Sequence, residues 1–175
     1  MSTAPIAAAL ERMTSVLQRR PDTGLHDDAP ATARWDGGTR VVALHGNGHQ
    51  VPTDMPAEFG GTGGQVTPGW LFRAGVAACA TTSIALLAAK EGIELTRLET
   101  RAGSRSDARG MLGMTEADGS EVSAAPGDFQ LHVRIAAQGV PPETLRALVE
   151  RGLHRSPIPS AVQRALPLAF HIDLD

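Results

Sequence analysis

The sequence predicts an α+β domain in which mainly antiparallel strands surround one long central helix and one shorter helix. Three observations lead to this class. Short strand-like segments separated by glycine-containing turns occupy residues 31–53. A proline-free segment rich in alanine and leucine runs from residue 70 to residue 90. An alternating apolar and polar segment, FQLHVRI, follows at 129–135.

The length and composition are those of one folded domain without a nucleic-acid partner. The 175 residues, 42% of them hydrophobic, are enough to bury a core. The net charge is -3, and the chain has four Phe, two Trp and no Tyr. A nucleic-acid-binding protein would need a basic patch and aromatic stacking platforms, so that class is not expected.

The chain contains a single cysteine, Cys79. One cysteine excludes an intrachain disulfide and any zinc or redox motif of the CxxC type. The N-terminus lacks the basic start, apolar core and small-residue cleavage site of a secretory signal. We therefore expect a cytoplasmic protein whose thiol stays reduced.

An amphipathic helix is predicted near the N-terminus. Its apolar residues recur at spacings of four, three and four: Ile6, Leu10, Met13 and Leu17. Pro5 suits the first turn of a helix and Pro21 its end. We interpret residues 1–30 as this helix and a polar linker, an addition that packs on the fold or clasps a dimer, and residues 31–175 as a single domain.

The segment 31–53 predicts three short antiparallel strands. The first two, at 31–35 and 39–45, are joined across the turn DGG, and a third lies near Gln50 after the turn GNG. Five glycines then occur within residues 60–69, which also include a proline. Such a loop takes positive φ, passes close to neighbouring backbone and is long enough to be functional.

One helix of about six turns is predicted from Trp70 to Lys90, and Gly92 marks its end. Apart from Arg73 and the polar run at 81–83 it is apolar on every side, so we expect it to be buried all round. A membrane span is the alternative, but the same residues interrupt the roughly twenty apolar residues that a span needs. The many small residues of this helix favour close approach by another backbone, in part that of a second subunit.

Three strands are expected between the central helix and the C-terminal region. The first strand is predicted at 93–101 and the next at 111–116, after a turn. The segment 129–135 is the clearest half-buried strand in the chain.

The C-terminal region predicts a helix and a final strand. The residues PPE at 141–143 open a helix that ends near His154, and a helical turn is expected at 161–166. The segment LAFHIDL at 168–174 alternates in polarity, which predicts the last strand.

Cys79 lies in the middle of the predicted central helix. At about 100° per residue its face is shared by the following positions: Phe72, Gly75, Val76, Thr82, Ser83 and Leu86. The thiol therefore faces a mostly apolar surface with two hydroxyl groups beside it. Most lone cysteines are inert small apolar residues, and a reactive one needs a cation or several donors that hold its thiolate.

The segment around Cys79 resembles a known protein family. The run GGTGG at 60–64 is followed by TPGWLFRAGVAAC at 67–79 and by Gly-Ile after the helix. This pattern is similar to the OsmC/Ohr family of thiol-dependent hydroperoxide reductases, and the similarity runs from about residue 31 to residue 175. It implies antiparallel sheets wrapped around a long central helix in an intertwined homodimer. It also implies that Cys79 occupies the position of the peroxide-reactive cysteine.

Two positions depart from the pattern of the established peroxidases in this family. Those proteins have Asn-Pro-Glu before the helix, where the glutamate orients an active-site arginine, and this chain ends the same tripeptide in Gly69. They also have a second, resolving cysteine near the C-terminus, where this chain has Ser156. A serine cannot form a disulfide, so an oxidised Cys79 would need an external thiol or a bond to another chain.

The resemblance places the catalytic arginine in the N-terminal strands. Arg40 is the best match and Arg34 lies close behind, whereas Arg73 points roughly 120° away from Cys79 on the helix. Asp54 and Glu58 in the preceding loop are candidates to replace the missing glutamate. For each arginine the structural alternative is a solvated surface charge.

Three functions compete. In the leading one Cys79 attacks an organic hydroperoxide, Arg40 stabilises the thiolate and the developing alkoxide, and an external thiol restores the enzyme. Three side chains favour an apolar substrate tail: Phe72, Val76 and Leu86. The alternative is a non-catalytic module of the same fold that binds a small apolar or acyl ligand at the dimer interface, and the third is an interaction subunit. No cofactor, nucleic acid or membrane is expected as a partner. No metal is expected either, since His45 and His49 lack a third metal ligand nearby.

Overall fold

The structure is a computed structural model that describes residues 3–164 and 166–174. The chain forms two compact units, one of Ala8–Gly75 and one of Met1–Ala7 together with Val76–Asp175. The predicted division into residues 1–30 and residues 31–175 stays a prediction.

The strands of the first unit form a three-stranded antiparallel sheet in the order β1, β2, β3. Their bounds are Thr32–Trp35, Val41–Leu44 and Gln50–Thr53. Gly37 and Gly38 take positive φ angles of 97° and 56° between β1 and β2, which is why this tight turn needs glycine. The structure confirms all three predicted strands.

The helix α1, Ala4–Arg19, confirms the amphipathic helix predicted at the N-terminus. None of its residues is buried. The apolar side chains Ile6, Met13 and Val16 are exposed within the described residues of the single chain. Its predicted role as an addition that clasps a dimer stays a prediction.

The helix α2, Pro68–Lys90, is the long helix that the sequence predicts. It begins two residues earlier than expected because Thr67 caps it. The Thr67 side-chain oxygen accepts a hydrogen bond from the backbone N–H of Trp70 at 3.1 Å. Pro68 then occupies the first helical position, where a missing N–H costs nothing. At the other end Gly92 takes a positive φ of 68°, and the Ile93 N–H donates to the Ala88 carbonyl at 2.9 Å.

In the single chain α2 is buried mainly along one side, and the predicted burial all round, in part by a second subunit, stays a prediction. The residues of that side are Val76, Ala80, Ile84, Leu87 and Ala88, and Ala89 is buried near the end of the helix. Another side is exposed, and we call it the exposed stripe: Phe72, Gly75, Ala78, Thr82 and Leu86. By length and composition α2 is also the one described helix that could cross a membrane, a test that core helices of soluble proteins pass as well.

The second unit packs a long hairpin against helices. The strands β4, Leu95–Arg105, and β5, Gly127–Ala137, pair antiparallel. The helix α4, Pro142–His154, follows them and places Leu145 and Leu148 in a buried cluster with Leu87 and Ala88 of α2. Ile135 and Ala137 of β5 pack against this cluster. The predicted strand at 129–135 and the predicted helix after it are confirmed, and β4 continues four residues beyond its predicted end at residue 101.

The prediction of a strand at 111–116 is wrong. The chain forms a short helix α3, Ala108–Met111, and then turns, and only Thr115 makes an isolated bridge, to Glu121. The cause is local. Asp107 caps α3 by accepting from the Arg109 N–H at 2.9 Å, and the Arg109 guanidinium donates to both Asp107 and Glu116.

The final strand predicted at 168–174 is absent from the described residues of the single chain. This segment has no regular structure, and Leu168, Phe170, Ile172 and Leu174 are 77–90% exposed. A strand needs a partner edge for its backbone hydrogen bonds, and this segment pairs with none in the described chain. The helical turn predicted at 161–166 begins earlier, as α5, Pro157–Arg164, and residue 165 lies outside the described residues.

Candidate functional site

Cys79 lies on α2 at the border between the buried side and the exposed stripe. Val76 and Ala80 on one side of it are buried, whereas Ala78 and Thr82 on the other side are exposed. Cys79 itself is partly buried, and its thiol is free. A sulfur in this place can contact the protein core on one side and remain open to a reactant on the other.

The core-side partner of the sulfur is Ser156. The Ser156 hydroxyl donates a hydrogen bond to Cys79 Sγ, with an oxygen-to-sulfur distance of 3.2 Å. Ser156 is 0% exposed although its side chain is polar. The two residues are 77 positions apart in the sequence, so only the packing of the unit brings them together.

Ser156 is fixed by the short connection between α4 and α5. Its N–H donates to the Leu153 carbonyl, and its carbonyl accepts from the Ser160 N–H, both at 3.0 Å. Pro157 then opens α5 at a position that needs no N–H donor. Both backbone groups of Ser156 are therefore used, and the buried hydroxyl is left to the cysteine sulfur.

A close crossing of two helices carries Ser156 to Cys79. Gly152 of α4 is buried against α2, and a Cβ atom placed on it would lie 2.8 Å from Ile84 Cγ1 and 3.0 Å from Ile84 Cα. Only glycine permits this approach. Because Gly152 lies one turn before Ser156, its lack of a side chain allows the serine to reach the sulfur.

The three side chains predicted to bind substrate differ in accessibility. Phe72 and Leu86 are 44% and 38% exposed and belong to the exposed stripe of α2. Val76 is 1% exposed, so it packs in the core and offers no surface to a ligand in the single chain. The assignment of these residues to a substrate remains a prediction.

Arg40 is at the end of the β1–β2 turn. Its backbone N–H donates to the Gly37 carbonyl at 3.0 Å, and its carbonyl accepts from the Asp36 N–H at 2.9 Å. Its side chain is exposed and makes no hydrogen bond or ion pair with the described residues. Arg40 belongs to the unit Ala8–Gly75 and Cys79 to the other, and its assignment to the thiol remains a prediction.

Arg73 lies over the position where the resembled family has its glutamate. A Cβ atom placed on Gly69 would be 3.6 Å from Arg73 Nη1. The guanidinium therefore folds back along α2 toward its first turn. The other candidate, Arg34, is exposed on β1.

Asp54 anchors the glycine-rich loop and is not an arginine partner in the described chain. Its buried carboxylate accepts from Thr39 Oγ1 at 2.5 Å and from the Met55 N–H at 2.8 Å. It also accepts from the Thr62 hydroxyl at 2.6 Å and the Thr62 N–H at 2.8 Å. These hydrogen bonds, those from Thr39 and Thr62 first, hold the pKa of Asp54 well below its usual range. Glu58, the other candidate, is exposed.

The described residues offer no metal site. They contain no group of three or more His, Cys, Asp or Glu side chains that could hold a metal ion. His45 and His49 lie exposed on either side of the β2–β3 turn, where the His45 N–H donates to the His49 carbonyl at 2.9 Å.

The contact between Ser156 and Cys79 is the feature that the sequence did not reveal. Sequence reasoning treated Ser156 only as the place of a missing cysteine. The position itself was a signal, because a residue that replaces a resolving cysteine must lie close to the reactive one. Gly152 carried no such signal, because its role depends on packing against Ile84, a residue distant in the sequence.

Comparisons with known proteins agree on one family. The family model for OsmC-like protein matches residues 61–171. A search of curated proteins found no match.

Solved structures with the same fold cover most of the chain. An OsmC-like protein from Mycoplasma pneumoniae aligns with a TM-score of 0.65 at 17% identity, over 80% of this chain and 90% of its own. An organic hydroperoxide resistance protein OsmC from Legionella pneumophila aligns with a TM-score of 0.55 at 25% identity, over 80% of this chain and 92% of its own. The organic hydroperoxide resistance protein OhrB of Bacillus subtilis aligns with a TM-score of 0.51 at 22% identity, over 79% and 92%.

Proposed function

Because the chain belongs to the OsmC-like protein family, we propose that it reduces organic hydroperoxides with Cys79 as its single reactive thiol. The observation that carries this proposal is the partly buried Cys79, whose free sulfur accepts a hydrogen bond from the buried Ser156 hydroxyl. The similarity to an organic hydroperoxide resistance protein from Legionella pneumophila supports the same chemistry.

The first chemical step oxidises the sulfur. The thiolate of Cys79 attacks the distal oxygen of the hydroperoxide, so that a sulfur–oxygen bond forms while the oxygen–oxygen bond breaks. The alkoxide takes up a proton and leaves as an alcohol. Cys79 is then a sulfenic acid, oxidised by two electrons.

The second step needs a thiol that the chain does not contain. An external thiol attacks the sulfenic sulfur, water leaves, and a mixed disulfide forms. A second molecule of the thiol releases Cys79 and leaves as the oxidised disulfide. This cycle balances without a metal or a cofactor.

We assign roles in this reaction to the remaining predicted residues. Arg40 stabilises the thiolate and the developing alkoxide, because a guanidinium donates charge-assisted hydrogen bonds. Phe72 and Leu86 contact the apolar tail of the substrate, and Val76 supports the helix from within the core. If the protein is soluble and cytoplasmic, the reducing surroundings keep Cys79 in its thiol form between turnovers.

A homodimer accounts for the apolar surface that the single chain exposes. The exposed stripe of α2 carries the small residues Gly75, Ala78 and Thr82, which permit close approach by another helix. The alternating segment 168–174 exposes its apolar side chains as well. We expect sedimentation equilibrium to give twice the mass of the chain, whereas a monomer at all concentrations would contradict the dimer.

The second candidate function is a binding module without turnover. Two replacements favour it, namely glycine for glutamate at Gly69 and serine for the resolving cysteine at Ser156. In this case the apolar part of the exposed stripe would bind an apolar or acyl ligand, and Cys79 would be part of the wall.

Trapping the oxidised sulfur distinguishes the two functions. The protein is treated with one equivalent of cumene hydroperoxide in the presence of dimedone, and its intact mass is measured. The peroxidase predicts one dimedone adduct, located by peptide mapping at Cys79. Cys79→Ser, treated identically, should gain none. Absence of the adduct from the native protein, with retained binding of an apolar ligand by Cys79→Ser, would support the binding module instead.

A further inference from the structure

We propose that Ser156 is the positioning residue of Cys79 and that it commits the site to small external thiols as reductant. This inference deepens the proposed function and rests on it for the reductant. The contact itself is independent of turnover. It assigns a role to a serine at the position where the sequence resemblance implies a resolving cysteine.

The hydroxyl of Ser156 has one partner among the described residues. Its backbone N–H and carbonyl are engaged with Leu153 and Ser160, and the side chain is 0% exposed, so water does not compete for the hydroxyl. Its oxygen lies 3.2 Å from Cys79 Sγ. An O–H group donates more strongly to a thiolate than to a thiol, since a charged acceptor strengthens the bond.

This contact approaches the sulfur from the core. Ser156 is fully buried, whereas the neighbouring residues Ala78 and Thr82 on the exposed stripe are open. The bond therefore orients the sulfur without occupying its side toward the stripe. A hydroperoxide, and later a thiol, approaches Cys79 from that side, at the edge of the surface that the proposed second subunit covers.

Serine at this position also decides how the oxidised sulfur is reduced. A cysteine here would attack the sulfenic acid at once and expel water to form an internal disulfide. A hydroxyl does not, so Cys79 remains a sulfenic acid until another thiol arrives. In the proposed homodimer a second subunit packs on the exposed stripe, so the space that remains beside Cys79 suits a low-molecular-weight thiol such as cysteine. The intermediate that accumulates is then a mixed disulfide between Cys79 and that thiol.

The first test measures the reactivity of Cys79 without any hydroperoxide. Ser156→Ala should slow alkylation of Cys79 by iodoacetamide about fivefold at neutral pH, because the sulfur loses the buried hydrogen bond that orients it. Ser160→Ala is the matched control, since the Ser160 side chain makes no hydrogen bond with the described residues. Equal rates in Ser156→Ala and the native protein, with unchanged melting temperatures, would overturn the positioning role.

The second test replaces Ser156 by cysteine. Diamide should convert Ser156→Cys to an internal disulfide between positions 79 and 156, seen as a loss of two hydrogen atoms and a cross-linked peptide. Two thiols that stay free to alkylation under these conditions would show that the contact does not exist in solution. This variant keeps the inference testable if Ser156→Ala does not fold.

The third test addresses the reductant. After one equivalent of cumene hydroperoxide, free cysteine should add to the native protein as a mixed disulfide at Cys79, and it should add much less to Ser156→Cys because the internal disulfide forms first. A native protein that forms sulfenic acid but no mixed disulfide would overturn the assignment of small thiols. A native protein that forms no sulfenic acid would instead overturn the proposed peroxidase, and the first two tests would still decide the role of Ser156.

Discussion

Cys79→Ser is expected to abolish the consumption of cumene hydroperoxide in the presence of dithiothreitol, with a loss on the order of 10³-fold or more. A serine hydroxyl at this position has no adjacent base and is a far weaker nucleophile than a thiolate. Loss of hydroperoxide can be followed with a ferrous dye assay. Cys79 is the only cysteine of the chain, so no other thiol can replace it.

The matched control for this loss is Ala117→Ser. It introduces the same side chain at an exposed position in a turn to which no part of the reaction is assigned. Its turnover should stay within about twofold of the native value, because an exposed substitution of this size rarely changes stability. If Cys79→Ser consumed hydroperoxide as fast as the native protein, the activity would not depend on this thiol, which would contradict the proposed reaction.

Gly61→Ala is expected to be the most destabilising single substitution in the glycine-rich loop. A Cβ atom on Gly61 would lie 1.8 Å from the Met55 carbonyl oxygen and 2.9 Å from Asp54 Oδ1. The obstacle is backbone rather than a flexible side chain, so the loop must move away from the carboxylate that anchors it. We expect a loss of about 3 kcal/mol, or about 10 °C in Tm for a chain of this length.

Gly46→Ala provides the control for that prediction. No heavy atom lies within 4 Å of a Cβ atom placed on Gly46, and its φ angle is not positive. Its melting temperature should therefore stay close to that of the native protein. If both variants melt like the native protein by circular dichroism, the close packing of the loop around Asp54 is not present in solution.

The sequence was most informative where local rules decide the structure. The proline-free, mostly apolar run from Trp70 to Lys90 and the glycine at Gly92 predicted α2 to within two residues. The glycine-containing turn at 36–38 likewise predicted the pairing of β1 with β2. These elements need little information from the rest of the chain.

The two failed strand predictions have different physical reasons. At 111–116 the ion pairs of Arg109 with Asp107 and Glu116 favour a compact turn. The sequence predicted a strand there because the segment follows a turn. At 168–174 the pattern is that of a strand, but pairing depends on an edge elsewhere. A local pattern cannot specify which edge that is, or whether it belongs to the same chain.

The site was predictable only in part. Cys79 followed from a motif on its own helix, whereas its contact with Ser156 depends on Gly152 and Ile84, two residues that no local pattern connects. Among the described residues Asp54, one of the two candidate arginine partners, contacts no arginine, for a related reason. Its hydrogen bonds to Thr39 and Thr62 could not be foreseen before the loop was placed.

The rate at which Cys79 reacts with an organic hydroperoxide tests the central claim most directly. Stopped-flow mixing of the reduced native protein with cumene hydroperoxide, with free cysteine measured at the same pH, gives the two rate constants to compare. A site that orients and stabilises the thiolate predicts a rate constant at least about a hundredfold above that of free cysteine. A rate constant equal to that of free cysteine, or lower, would contradict the claim that the fold activates this sulfur.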